Sequence, residues 1–109
     1  MKSIVAIVQS DDAGALSDAL REQNFQSTLI SSTGGFLREG NATLLIGVED
    51  DQVDRVLEVI KENCNTRTQF VNPMPPVMEP GELYMPQPVE VQVGGATVFV
   101  YKVERFEKF

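Results

Sequence analysis

The residues best equipped to hold a ligand crowd into one stretch, Ser31-Ser32-Thr33-Gly34-Gly35-Phe36-Leu37-Arg38-Glu39-Gly40-Asn41. Gly34 and Gly35 let the backbone come close to another group and take positive φ. Successive free amides in such a turn can form an anion nest. Arg38 adds a planar cationic fork suited to phosphate. Asn41, and Thr28 upstream, carry groups able to hydrogen-bond the edge of a base. Phe36 and Leu37 stand in the middle, where a loop facing only water has no use for two large apolar side chains. Together these residues describe a pocket for something planar, apolar on its faces and anionic at its rim, which is a nucleotide. The same residues also suit a structural loop whose Phe36 caps the core. Composition alone leaves both readings open.

Catalysis finds less support. The chain has no histidine, the commonest general base and a common metal ligand. Asp11-Asp12 and Glu49-Asp50-Asp51 are the dense carboxylate groups. They read as caps and dipole-complementing charges at helix starts, where adjacent side chains diverge too much to share a hard cation. Cys64 lies on an apolar helical stripe with no histidine to activate it, and reads as a small core residue. The glycines are not followed by the Gly-Lys-Ser or Gly-Lys-Thr of a Walker loop. No enzyme, no metal site and no cofactor are therefore expected. A net charge of −7 on 109 residues argues against broad binding to nucleic acid or anionic membrane. The apolar run Ile4–Val8 is too short for a signal or a membrane span and ends at Asp11-Asp12. One cysteine rules out an internal disulfide and suits a reducing compartment. A cytoplasmic protein is expected.

The elements that must position these groups follow from periodicity. Residues 1–109 fit a single domain. Lys2–Gln9 is β-branched and continuously apolar at its centre, the pattern of a strand buried on both faces. Ser10-Asp11-Asp12 offers cap oxygens to a helix carrying Ala13, Leu16 and Leu20 on one face and ending near Asn24. Phe25–Ser32 and Ala42–Val48 read as strands. A second helix follows Glu49-Asp50-Asp51, with Val53, Val56, Leu57, Ile60 and Cys64 on one stripe. Strand, Asp-Asp and helix thus occur twice at nearly the same spacing, which predicts an α+β, ferredoxin-like βαββαβ sandwich. All six prolines and three of the four methionines fall within residues 72–88. Proline keeps that segment out of a central strand, and its length points to a functional or mobile loop. Alternating valines on both sides of Gly94-Gly95, from Val89 to Tyr101, predict a C-terminal hairpin. Phe106 and Phe109 close the chain and should dock somewhere.

Two helices can cover only one face of the sheet. The predicted hairpin puts Val98 and Val100 on one side and Thr97, Phe99 and Tyr101 on the other, so both sides are largely apolar. Either the second face meets another subunit, or the Pro-rich segment folds over it. The first reading gives a homo-oligomer, because a large exposed apolar patch is a liability in a monomer.

The loop Ser32-Thr33-Gly34-Gly35-Phe36-Leu37-Arg38-Glu39-Gly40-Asn41 resembles that of the PII-like cyclic-di-AMP receptor family. So do the start IVAIVQ, the join IGVEDDQVD and the near-terminal VEVQVGGATVFV. The resemblance covers essentially the whole chain. It implies a ferredoxin-like subunit in a homotrimer, with one cyclic-di-AMP bound at each subunit interface and no catalysis. It also implies a short loop between the second and third strands and a long one after the second helix. By similarity, Thr28, Gly35, Phe36, Leu37, Asn41, Gly47 and Phe99 match positions lining the family's pocket, with Asn24 at its mouth. Two positions depart from the family pattern. Gln26 stands where an arginine is common, and Lys108 where a glutamine is common; Lys108 is then a cation offered by the tail. With Ser27 and Arg38 added, the expected ligand-binding set is Asn24, Gln26, Ser27, Thr28, Gly35, Phe36, Leu37, Arg38, Asn41, Gly47, Phe99 and Lys108.

The mechanism implied is a switch. An adenine lies against Phe36 and Leu37, Thr28 and Asn41 read its edge, and loop amides face the phosphates. Binding then changes how the segment 72–88 presents Met74, Met78, Leu83, Tyr84 and Met85 to an unnamed protein partner. Two other functions fit the same residues: a PII-like trimer sensing ATP or ADP, and a scaffold with no nucleotide ligand.

Overall fold

The computed structural model describes residues 1–31, 40–71 and 88–109. The chain runs β1 (Lys2–Gln9), α1 (Ser10–Glu22), β2 (Ser27–Ser31), β3 (Asn41–Val48), a 3₁₀ turn (Asp50–Gln52), α2 (Val53–Cys64), β4 (Arg67–Val71), β5 (Val89–Val93) and β6 (Ala96–Lys102). Four strands form an antiparallel sheet in the order β2-β3-β1-β6. The other two, β4 and β5, pair with each other as a separate antiparallel ribbon. The result is a small α+β fold, two helices on one antiparallel sheet, compatible with a ferredoxin-like sandwich.

Period-two alternation sorts the sheet's side chains. Ile4, Ala6 and Val8 of β1 are buried, as are Ala42, Leu44, Ile46 and Val48 of β3. They meet Ala13, Leu16 and Leu20 of α1 and Val56, Val59, Ile60 and Cys64 of α2, forming one core. The intervening residues Ser3, Val5, Ile7, Thr43, Leu45 and Gly47 face the other way. There Thr28, Leu45, Val5 and Phe99 are register partners in a row across all four strands. Phe99 and Leu45 remain exposed in this row, and Tyr101 beside it stacks on Phe99 with ring centroids 6.3 Å apart.

Helix α1 ends in a hydrogen-bond pattern that explains Asn24. The Asn24 amide donates to the Arg21 carbonyl and the Phe25 amide to the Leu20 carbonyl, while Asn24 takes φ of 64°. This is a Schellman cap, closed by contact between a residue of the last turn and the one following the left-handed position. Phe25 and Leu20, the two residues concerned, are both in the core. Phe25 therefore belongs to the helix cap, and β2 begins at Ser27 rather than at Phe25.

Three expectations are corrected. The acidic residues at the start of α1 are not caps: Gln9 holds that position, and the helix begins at Ser10 without a side-chain cap bond. Asp12 is buried instead and meets the Arg67 fork, Nη2 to Oδ1 at 2.8 Å and Nη1 to Oδ2 at 3.3 Å. A buried carboxylate needs such a bidentate partner, and Arg67 is held protonated chiefly by that hydrogen bond. Second, residues 89–101 do not form a hairpin. Gly94 and Gly95 have φ of 83° and 89°, and the chain turns a corner there from the ribbon into the main sheet. The same glycine pair serves a tight turn or a corner. The available edges decide, and β5 takes β4 while β6 takes the open side of β1. Third, the segment after α2 is not loop from its start, because β4 comes first. The Pro- and Met-rich residues 72–87 lie outside the described residues, as do residues 32–39.

The ribbon root is fixed from several directions. The Gly94 amide donates to the Gln9 side-chain oxygen at 2.7 Å, and the Gly95 amide to the Cys64 carbonyl. A Cβ at Gly94 would collide with the Asn65 carbonyl oxygen, so glycine is required there for space as well as for φ. Beyond this root the ribbon stands clear of the core: every residue of β4 is exposed, including Phe70 and Val71.

The cap assigns Asn24 a testable cost. Asn24→Gly should leave thermal stability unchanged or raised, whereas Asn24→Val should lower it by about 1–2 kcal/mol, because a β-branched residue resists the left-handed conformation. Urea denaturation of both variants checks this. Equal stability would show that the cap is not formed.

Candidate functional site

The sheet face turned away from the helices carries the candidate site. Near one end of β3 a cavity of about 360 Å³ is lined by Met1, Ser3, Gln26, Thr28, Leu45, Ile46, Gly47 and Phe106. Strand register explains the grouping. Ser3 is the partner of Gly47, and Thr28 is the partner of Leu45, so β1, β3 and β2 supply adjacent positions of one floor. Gly47 deepens that floor, since nothing stands within 4 Å of where its Cβ would lie. The walls offer two hydroxyls and a carboxamide, groups that donate and accept without charge.

Of the expected ligand residues, Gln26, Thr28 and Gly47 are thus brought together. Ser27 points to the other side, into a cavity of about 310 Å³ between α1 and β2 with Ser17, Arg21 and Phe25; Gln26 and Thr28 border that cavity too. Asn41 lies at the opposite end of β3 from Gly47, about 20 Å away at roughly 3.3 Å per residue. It lines a third cavity, of about 370 Å³, with Gln9, Thr66, Gly94, Gly95 and Thr97 at the ribbon root. Phe99 stands on β6, three strands and about 14 Å from Thr28. Asn24 stands outside these cavities and is accounted for by its helix cap. Lys108 is exposed in the tail. Gly35, Phe36, Leu37 and Arg38 lie outside the described residues.

Phe106, Ser3 and Leu45 were missed as cavity residues. Ser3 and Leu45 follow from parity once β1 is set beside β3, but that pairing is not encoded locally. Phe106 carried a signal, an aromatic in a polar tail, without an address.

A model of the cyclic-di-AMP receptor family matches residues 1–109. The chain belongs to that family. It is also similar to a crystal structure of a functionally unknown protein from Pediococcus pentosaceus ATCC 25745. The TM-score is 0.79 and the identity 45%, over 99% of this chain and 96% of that one.

A cyclic-di-AMP receptor requires no activated nucleophile, and Cys64 is poorly suited to be one. It is buried in the core. Burial, reinforced by the nearby Asp12 carboxylate, pushes its thiol up to about 11, while Arg67 pulls weakly the other way. Among the described residues there is no group of three Cys, Asp or Glu side chains able to hold a metal ion. No described helix is long and apolar enough to cross a membrane.

The thiol provides a pH test. The native form should react very slowly with a thiolate-selective disulfide reagent at pH 8 and quickly once unfolded. Because the folded value exceeds the ordinary 9.0, stability should be full below pH 9 and fall as pH rises toward 11. Cys64→Ala should flatten that decline. Rapid native labelling at pH 8 would contradict the burial.

Proposed function

We propose that this chain is a non-enzymatic receptor that binds cyclic-di-AMP between the subunits of a homotrimer and relays occupancy to a protein partner through its β4–β5 ribbon. The observation that carries the reading is the family match along the full 109 residues. The geometry of the sheet adds the argument for assembly. Thr28 and Phe99 sit on β2 and β6, the two opposite edges of one sheet. Apposing unlike edges is a heterologous contact, which repeats into a closed ring where its rotation is one third of a turn. In such a ring the Thr28 end of one subunit comes to the Phe99 end of the next, and residues too far apart in one chain share a pocket. Assembly that also covers the open sheet face would remove Leu45, Phe99 and Tyr101 from water, apolar surface that is exposed in the single subunit.

The relay rests on Asn41. It borders the cavity that also holds Gly94 and Gly95, the corner from which the ribbon departs. A ligand held by Asn41 therefore adjoins the ribbon root, with Gln9 bridging to the Gly94 amide. Ligand contacts that favour one setting of this corner shift the ribbon's position by as much as their differential affinity, and no more.

Titration calorimetry with cyclic-di-AMP, cyclic-di-GMP, ATP and ADP tests the ligand. Cyclic-di-AMP should bind with one site per chain to a species three times the 12.1 kDa subunit mass. Thr28→Ala should weaken binding about 5- to 100-fold, the range for an unpaired polar contact. Gly47→Val, which fills open space, should weaken it at least about tenfold with little loss of stability. Hydrogen exchange in β4 and β5 should change at saturation. Tighter binding of ATP or ADP would replace the ligand assignment, and a monomer at micromolar concentration would end the interface model.

A further inference from the structure

The C-terminal tail, Val103–Phe109, follows β6 without forming a helix or strand. Its first residue is tied down, because the Val103 amide donates to the Met1 carbonyl at 3.2 Å. The next tie is internal: Arg105 pairs with Glu107 at 2.6 Å, which bonds the tail to itself and to no other element. Phe106 lies between those two residues. It lines the cavity of Gln26, Thr28 and Gly47, yet 64% of it remains exposed. Phe109, by contrast, is wholly exposed and lines none of this cavity.

A phenylalanine that borders a cavity while keeping most of its ring in water has room for a further apolar partner. Among the described residues Phe106 is the single aromatic in that wall, set with the Thr28 and Ser3 hydroxyls and the Gln26 carboxamide over the Gly47 floor. An aromatic face, an open floor and an uncharged hydrogen-bonding rim form a slot for a base. The ring takes the flat face, and a glutamine carboxamide matches the donor and acceptor that adenine presents at N6 and N7.

We infer that Phe106 is a ligand-contacting, specificity-determining residue, and that the tail supplies one wall of the slot for an adenine of the bound dinucleotide. This inference rests on the receptor reading above. The Val103 amide anchors the root of the tail, and Arg105–Glu107 braces the segment that carries the ring. Gln26 gives the slot its preference for adenine over guanine, whose O6 is an acceptor where adenine has a donor.

Four forms of the full chain test this: wild type, Phe106→Ala, Phe106→Trp and Phe109→Ala. Phe106→Ala should keep the wild-type assembly mass and lose about tenfold or more in cyclic-di-AMP affinity, mostly through faster dissociation. Phe109→Ala should bind as wild type. The sequence contains no tryptophan, so Phe106→Trp introduces a single reporter. Its emission should change saturably with cyclic-di-AMP at an affinity within a few fold of wild type. Wild-type affinity in Phe106→Ala would overturn the inference, as would unmoved Phe106→Trp emission at a concentration that calorimetry shows to be saturating. If Phe106→Ala breaks the assembly, the tryptophan variant decides by the same criterion. Absence of any cyclic-di-AMP binding by wild type is a different result, and would remove the receptor reading and this role with it.

Discussion

One constraint organises the molecule: strand residues alternate between two faces, and the helices cover only one. β1 is hydrogen-bonded on both sides, so the parity of its eight residues is inherited by β3 and β6 through the ladder. The even residues of β1 and β3 make the core with α1 and α2. The odd residues make a second apolar surface that the subunit leaves open. A slip of one residue in the β1–β3 pairing would turn β3 over against β1 and place Gly47 and Leu45 under the helices. Core and candidate site are therefore fixed by the same register.

The second constraint is what happens to the strand after α2. In a simple βαββαβ sandwich it would take the open edge of β1. Here that edge belongs to β6, and β4 turns outward to pair with β5. A two-stranded ribbon is marginal alone, so its root must be held by the subunit. Arg67 and Asp12 do this by charge, Gln9 by a bond to the Gly94 amide, and the glycine corner by shape. Asp12 and Arg67 thus link helix α1 to the ribbon.

Much of the subunit was legible in its sequence. The periods of β1, β3, α1 and α2 are strong, and the opposite placement of Phe99 and Val98 follows from alternation. β4 was not legible. Arg67-Thr68-Gln69-Phe70-Val71 shows no buried face, because both its faces meet water, and its strand form comes from a partner some twenty residues on. The role of Asp12 was equally hidden, since its partner lies 55 residues away. At the site, Gly47 came through family resemblance alone, whereas Thr28 was also marked by its hydrogen-bonding hydroxyl. A threonine and a glycine in strands carry little information until the register sets them side by side. Asn24 also came through resemblance, and its left-handed conformation at the end of α1 is accounted for by the helix cap.

The pinned root has an evolutionary consequence. Both strands of the ribbon are gripped at the end nearest the subunit, so exchanges at exposed positions such as Thr68, Phe70 and Glu90 need not disturb the main sheet or its register. Such an arrangement lets the surface that the ribbon presents differ between lineages while the sheet beneath it is inherited intact.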